Sequence, residues 1–389
     1  MSSKKGADMW TPECWYHDAK NWAQSHKDYM LKMYRINLKL LENHLPGTDE
    51  REIHNLLKEY NQSRINAPVD FKKYPELIGM KQLICAEWKG LQDGSGLDEY
   101  QTAVYVGAMN FYHRMICSGK MGKMDGSLSS NCSYIYFPYS DHGVLLANNL
   151  DSSPDEPFDS PQWPALNEHV IIGSVSSGIY LDEQPEEMFP APVFKIVARY
   201  CRNVKEAVEV LTRYNQFWGP CNAIVVDRNH NCAMIEKSAC RIGVRWSKDG
   251  FGFITAMTAE EPGMQAYLND RRQASLKARH LGPDSPDAIY WKKQDQRRQL
   301  MNELLDQVRK NPTLETMRKF IQFRDPVRGN VCGNGEIYGP GCPPSEYTIR
   351  TVIWLLSEAR ALWWAKQGDK PSFENPMSEV KFNNVIVWE

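Results

Sequence analysis

The sequence predicts an α+β layered sandwich, and two observations carry that expectation. Apolar residues recur at helical spacing through the first third of the chain, then alternate with a period of two once the chain passes residue 130 or so. Beyond that point strand-like runs come in groups, with helix-like runs in groups between them, the order of a layered α+β protein. No self-similarity at a period of roughly 20–50 residues marks a repeat architecture.

The elements follow in order. Trp15 to Leu45 reads as a helix ending before Pro46-Gly47. DEREIHNLLKEYNQ has acidic residues in its first turn, where they favour a helix N-terminus. YPELIGMKQLICAEWKGL and LDEYQTAVYVGAMNFYHRMIC predict two more helices, and the Gly/Ser-rich GKMGKMDGSLSSN a loop. CSYIYFPY and GVLLANNLD then flank the turn Ser140-Asp141-His142-Gly143 as a hairpin. NEHVIIGSVSSGIYL is strand-like. FKIVARYC and NVKEAVEVLTRY are helical, the second with Asn203 as N-cap. NAIVVDRNHNCAMIEKS is a hairpin turning at Asp227 to Asn231, and RIGVRW and FGFITAMT extend the sheet. Helices are expected near Asn269–Leu281, Pro286–Lys310 and Thr313–Arg324, and a last hairpin turns around Ser357 to Arg360.

Composition narrows the function classes. Of 389 residues, 42% are apolar and 24% charged, the balance of a globular protein with a sizeable core. The net charge of −2 gives no sequence-wide case for nucleic acid or an acidic membrane surface. No apolar run reaches the length of about 18 residues that a membrane span needs, and the N-terminus lacks an apolar signal core. The expected location is cytoplasmic, or secreted or periplasmic if a leader has been removed. Ten cysteines are scattered without a CxxC pair and read mostly as buried thiols, with Cys332 and Cys342 the best disulfide pair in an oxidising compartment. Nine histidines show no metal-ligand spacing, so neither metal nor other cofactor is expected.

The chemistry centres on Cys132, at the mouth of a loop, and on Asp151, one hairpin later. HExxH, GxSxG, the Walker loop and GxGxxG are all absent. A thiol has an ordinary pKa of about 8.5 and needs a base or a favourable field. One available base is the cysteine's own α-amine, with a pKa of about 7.7–8.0, which exists only if the bond before Cys132 is cut. A papain-like Cys–His pair stays open, though no histidine sits in a recognisable partner motif. Arg350 lies within an otherwise apolar strand, either as a structural ion-pair arginine or as the bidentate holder of a substrate carboxylate.

Several segments carry a family resemblance. YPELIGMKQLICAEWKG is similar to a pro-segment helix, and Cys132 followed by LANNLD to a Cys…RNxD arrangement ending at Asp151. GSVSSGIYL stands in the place of a GxNxxGL segment and NVKEAVEVL in that of an EAvelL helix. NAIVVDRNHNCAMIEKS, with Asp227 and Glu236, resembles a hairpin of the form LxDxxGxxxxxE, FITAMT takes the place of a TNH motif, and TIRTVIWLLSEARALWWAKQGDKP that of a C-terminal hairpin. In this order, from about Tyr74 to Lys381, they resemble the N-terminal-nucleophile (Ntn) hydrolases that cleave linear amides. The likeness is nearest to the acyl-coenzyme A:6-aminopenicillanic acid acyltransferase (isopenicillin-N acyltransferase) family. Bile-salt hydrolases, penicillin V acylases and acid ceramidases are more distant.

The resemblance implies a four-layer αββα sandwich, a helical pro-segment over residues 1–131 and a catalytic domain over 132–389. It implies self-cleavage between Asn131 and Cys132, attack by Cys132 on an amide or thioester carbonyl of a small molecule, and release of the acyl group to water or an amine. Three positions depart from the pattern. Asn148 replaces an arginine that helps fix the nucleophile and Asp151, while Val175 and Ala256 replace two asparagines. Asn149, Asn222, Thr255 or backbone N–H groups are the substitutes for the oxyanion donors so lost. The alternative is a catalytically weak or inactive member acting as a binding or scaffold protein. Oligomeric state is left open.

Overall fold

The computed structural model describes residues 11–117, 132–152, 167–176, 193–238, 241–325, 328–333, 347–367, 370–383, 385, 387 and 388. Five helices open the chain: α1 (Pro12–Ser25), α2 (Lys27–His44), α3 (Glu50–Ile65), α4 (Met80–Ser95) and α5 (Glu99–Cys117). Trp15–Leu45, expected as one helix, is two. His26 leaves helical geometry with φ −127° and ψ 31°. Its Nδ1 lies 2.8 Å from the Trp22 carbonyl and its ring stacks on Trp22. The ring thus takes a carbonyl that a continuous helix would use.

Asp49 starts α3 with a capping box, its side chain on the Glu52 amide and the Glu52 carboxylate on its own. A Cβ at Gly90 or Gly94 would stand 2.3 Å from the carbonyl oxygens of Tyr16 and Lys20 respectively. Glycine therefore sets how closely α4 lies on α1. The GKMGKMDGSLSSN loop, Asn131 and Cys342 lie outside the described residues.

The strands are β1 (Ser133–Phe137), β2 (Leu145–Ser152), β3 (Val170–Ser176), β4 (Cys221–Asp227), β5 (Cys232–Lys237), β6 (Ile242–Trp246), β7 (Gly252–Thr255), β8 (Arg324–Asp325), β9 (Gly329–Asn330), β10 (Tyr347–Leu355), β11 (Arg360–Ala365) and β12 (Ser378–Lys381). Between them run α6 (Val193–Tyr200), α7 (Val204–Arg213), α8 (Pro262–Ala278), α9 (Pro286–Val308) and α10 (Leu314–Ile321). A six-stranded sheet has the order β12-β11-β10-β2-β1-β7 and a four-stranded sheet the order β3-β4-β5-β6, all antiparallel. β8 and β9 form a separate short ribbon.

The alternation of side chains across each strand sorts the core into layers. Tyr136, Leu146, Val352 and Trp354 of the large sheet pack on Ile171, Ile224, Val226 and Met234 of the small one. The other face of the large sheet, with Ile135, Phe137, Leu145 and Ile353, meets Met301, Leu304 and Phe320 of α9 and α10. The other face of the small sheet, with Ile172, Val225 and Ile235, meets Val197, Ala207 and Leu211 of α6 and α7. The layers therefore read helix, sheet, sheet, helix, the α+β sandwich expected. Each fully buried side chain of this size contributes about 1.5–3 kcal/mol.

Two details of the sheets differ from the sequence reading. β6 and β7, expected to extend one sheet, divide between two: β6 pairs with β5 and β7 with β1. The chain crosses over at Ser247–Phe251, where Gly250 has φ +85° and Ser247 Oγ donates to the Phe251 carbonyl at 2.7 Å. β12 has no counterpart in the sequence reading, because SEVK is mostly exposed and lacks apolar alternation.

Candidate active site

Cys132 immediately precedes β1, at the end of the strand where β2 terminates and β7 gives way to a turn. Its carbonyl accepts from the Ala256 amide at 2.9 Å, which anchors the start of β1 to the residue after β7. Cys132 belongs to the inter-sheet core and is buried. Its Sγ rests against the Asp151 peptide: the Asp151 N–H donates to sulfur at 3.3 Å, and the carbonyl lies 3.4 Å away as acceptor for the thiol. The same peptide thus offers sulfur both a donor and an acceptor. Burial pushes the thiols of Cys201 and Cys221 up to about 12 and raises Cys232 as well.

The Asp151 carboxylate is held on the opposite face. Its Oδ1 accepts from Thr348 Oγ1 at 2.6 Å, and Thr348 Oγ1 in turn accepts from the Gly333 amide at 2.7 Å. An irregularity in β10 makes this possible: Thr348 faces Asp151 while Arg350 faces Leu150, so one extra residue is taken up between them. Ordinary alternation would put Thr348 and Arg350 on one face. The bulge gives Thr348 to Asp151 and Arg350 to the inter-sheet side.

Asn148 lies on that inter-sheet side, between Tyr134 of β1 and Val352 of β10 in register. Its Nδ2 donates to the carbonyls of Ser133 at 2.9 Å and Asn149 at 3.1 Å, and its Oδ1 accepts from Arg350 Nη2 at 3.4 Å. A guanidinium thus reaches position 148 from β10. Asn149 points to the α10 side, away from Cys132. Its Nδ2 donates to the carbonyls of Ile321 and Val331, and its Oδ1 accepts from Thr351 at 2.7 Å. Thr255, in register with Ser133, shares that outer face, where Arg297 Nη1 bonds its hydroxyl.

Asn222, on β4, faces the large sheet. Its Nδ2 donates to the carbonyls of Thr255 at 2.9 Å and Thr258 at 2.8 Å. Those carbonyls fix the amide orientation, since the flipped form would set oxygen against oxygen. Its Oδ1 is buried with no hydrogen-bond partner among the described residues. All three candidate asparagines have therefore given both amide N–H groups to carbonyls, and Asn222 offers an acceptor instead of a donor.

Two other family-like carboxylates are tied to structure. Asp227 caps its own turn and accepts from the Val204 amide at the start of α7. Glu236 accepts from the Glu260 and Glu261 amides at 2.8 Å and from Arg245 Nε at 2.9 Å. Burial raises its carboxyl above the ordinary range, against the pull of Arg245.

Sequence reasoning missed Tyr134 and Thr348. Tyr134 follows Cys132 by two residues, so strand alternation places both on one face. No signal in the sequence marks the bulge that pairs Thr348 with Asp151. Among the described residues no group of three or more His, Cys, Asp or Glu side chains could hold a metal ion, and no helix is long and apolar enough to cross a membrane.

No family model matches this chain, and no curated protein matches it. Among solved structures it is similar to a conjugated bile acid hydrolase from Clostridium perfringens, with 12% identity over 67% of this chain and 91% of that one, at a TM-score of 0.32. It is also similar to a penicillin V acylase from Agrobacterium tumefaciens, with 10% identity over 62% of this chain and 76% of that one, at a TM-score of 0.31. Likeness at this level assigns no role to any side chain.

Proposed function

We propose that the chain is a self-processing cysteine hydrolase of linear amides, with Cys132 as nucleophile. The observation that carries the reading is the seat of Cys132 Sγ on the Asp151 peptide, at the very start of a central strand and facing the space between the sheets. A nucleophile so placed needs no partner histidine once its own α-amine is free.

Cleavage of the bond between Asn131 and Cys132 releases that amine, which takes the thiol proton. Sulfur attacks the amide carbonyl, and backbone N–H groups stabilise the oxyanion, because the amide groups of Asn148, Asn149 and Asn222 are already committed. The α-ammonium returns its proton to the departing amine, leaving an acyl-Cys132 thioester. Water then attacks the thioester and the carboxylic acid leaves. An amine in place of water would make the reaction an acyl transfer. Asp151 orients the α-amine, and Asn222 Oδ1 accepts an N–H of the substrate.

The second reading is a non-catalytic binding protein on the same scaffold, favoured by that commitment of all three asparagine amides. Intact mass and N-terminal sequencing separate the two. The first expects associated fragments 1–131 and 132–389, and a Cys132→Ala chain that stays whole. An amidase-active preparation consisting only of uncut chain removes the self-processing mechanism.

A further inference from the structure

The buried stripe of α8 is Met264, Leu268, Arg272 and Leu276. A spacing of four puts them on one face, so a guanidinium takes a place whose helix neighbours are apolar. A charge buried this way needs partners. Arg272 finds them on two sides. Its Nη1 donates to both carboxylate oxygens of Asp295, at 3.2 and 3.1 Å, and its Nη2 donates to the Met257 carbonyl at 2.8 Å. Trp291, one turn before Asp295 on α9, has its ring centroid 5.7 Å from the guanidinium carbon. The proposed chemistry gives none of these residues a role.

Met257 is the unusual residue of the turn that follows β7. Its φ is +62°, in the left-handed region that a side chain disfavours, and it is buried in the inter-sheet core. The turn is tied on every side. The Ala256 amide donates to the Cys132 carbonyl at 2.9 Å. Asn222 Nδ2 donates to the Thr255 and Thr258 carbonyls at 2.9 and 2.8 Å. Arg272 takes the carbonyl between them. A residue stays in a sparsely populated conformation only where its surroundings over-determine it, and such residues gather at functional sites. Here the surroundings are Asn222 from the facing sheet and Arg272 from α8.

We propose that Arg272 is a positioning residue for Cys132. With Asp295 behind it, the guanidinium holds the Met257 carbonyl and keeps the turn 255–258 in its left-handed form. It thereby fixes the Ala256 amide on which the Cys132 carbonyl rests. Arg272 touches no reacting atom and acts through Met257 and Ala256. The planar fork of an arginine suits this task, because Nη1 and Nη2 serve two different acceptors at once. This rests on Cys132 as a self-processing nucleophile, so its test includes an arm independent of cleavage.

That arm is alkylation by iodoacetamide, followed thiol by thiol with peptide mass spectrometry. The exposed Cys85 gives the reference rate, and the buried Cys201 and Cys232 report any opening of the whole fold. In Arg272→Met the Cys132 rate should rise roughly fivefold or more relative to Cys85, because a loosened seat opens locally, with Cys201 and Cys232 unchanged. Arg272→Lys keeps the charge and a donor and should show a smaller rise. Met257→Gly supplies a residue that takes the left-handed form without strain. In that background Arg272→Met should change the Cys132 rate by less than about twofold. Thermal melts identify any variant that fails to fold, and Arg272→Lys, alone and with Met257→Gly, then decides. A Cys132 rate unchanged in both Arg272 variants, a rise shared by all three buried thiols, or an effect of full size in the Met257→Gly background overturns the positioning role.

The second arm follows cleavage between residues 131 and 132 by intact mass after cell-free synthesis. Arg272→Met should slow it roughly tenfold, the scale of a reacting group displaced by under an ångström. Met257→Gly with Arg272→Met should be cut nearly as fast as Met257→Gly alone. Cleavage at the wild-type rate in Arg272→Met overturns the positioning role and leaves self-processing intact. A wild-type chain that stays whole, with the alkylation pattern as expected, supports the hold of Arg272 on Cys132 and removes the self-processing reading.

Discussion

Thr348 Oγ1 donates to Asp151 Oδ1 across 2.6 Å, and the extra residue in β10 is what lets the two meet. The same irregularity turns Arg350 to the other face. One backbone feature therefore separates an anion from a cation across the thickness of a single sheet. It also gives the carboxylate a buried hydroxyl donor and a defined orientation beside the strand end where Cys132 begins.

Asp151→Asn keeps the shape of that carboxylate and removes its charge. Turnover should fall by roughly 10²-fold, the scale of a positioned acid–base partner, with little change in folding. Thr348→Val instead leaves the carboxylate and the Gly333 amide each short of a partner, and should cost about 1–3 kcal/mol in urea unfolding. An Asp151→Asn protein with unaltered kcat reduces Asp151 to a structural residue.

The arginine that the family resemblance expects at position 148 tests whether Arg350 already serves that space. Asn148→Arg alone would bury a second guanidinium where Arg350 Nη2 comes within 3.4 Å of the existing side chain. Stability should drop by about 2–4 kcal/mol. The exchange Asn148→Arg with Arg350→Asn should recover more than half of that loss, by urea denaturation. A single Asn148→Arg variant as stable as the wild type means that Arg350 does not fill the space beside residue 148.

The sequence made the α+β class and the hairpin that presents Cys132 legible, because helical spacing, period-two alternation and turn residues are local signals. Tyr134 was equally legible by alternation, two residues beyond Cys132. The fates of Asn149 and Asn222 were not: each amide is committed to carbonyls more than 30 residues away in the chain, at Ile321 and Val331 for one and at Thr255 and Thr258 for the other. Such commitments depend on how a turn and a helix end pack on a strand. The same holds for the crossing of β7 to the larger sheet and for the β10 bulge, which depends on register between strands about 200 residues apart.

Glu236 gives a stability signature in pH. Burial holds its folded carboxyl above the ordinary 4.5, so the folded state binds the proton more tightly than the unfolded state. Its contribution is then complete below 4.5 and lost as pH rises through the higher folded value. Glu236→Gln keeps an acceptor for the Glu260 and Glu261 amides and removes the titration. The stability of wild type relative to Glu236→Gln should decline as pH climbs above 4.5, measured by urea unfolding across that window. A difference that stays flat or grows with pH contradicts the burial argument.

Gly173→Ala probes the seat of Tyr134 from the facing sheet. The new methyl would lie 2.8 Å from Cε1, 2.9 Å from Cδ1 and 3.0 Å from Cζ of the ring, closer than real Cβ atoms come. The ring is stiff and rises from a central strand, so either it tilts or β3 shifts away. Overpacking of this kind costs about 1–3 kcal/mol. Tyr134→Ala removes the clash, so the double variant should be more stable than the sum of the single changes implies, by about 1 kcal/mol in a double-mutant cycle. Strict additivity of the two substitutions would place the Tyr134 ring elsewhere than on Gly173.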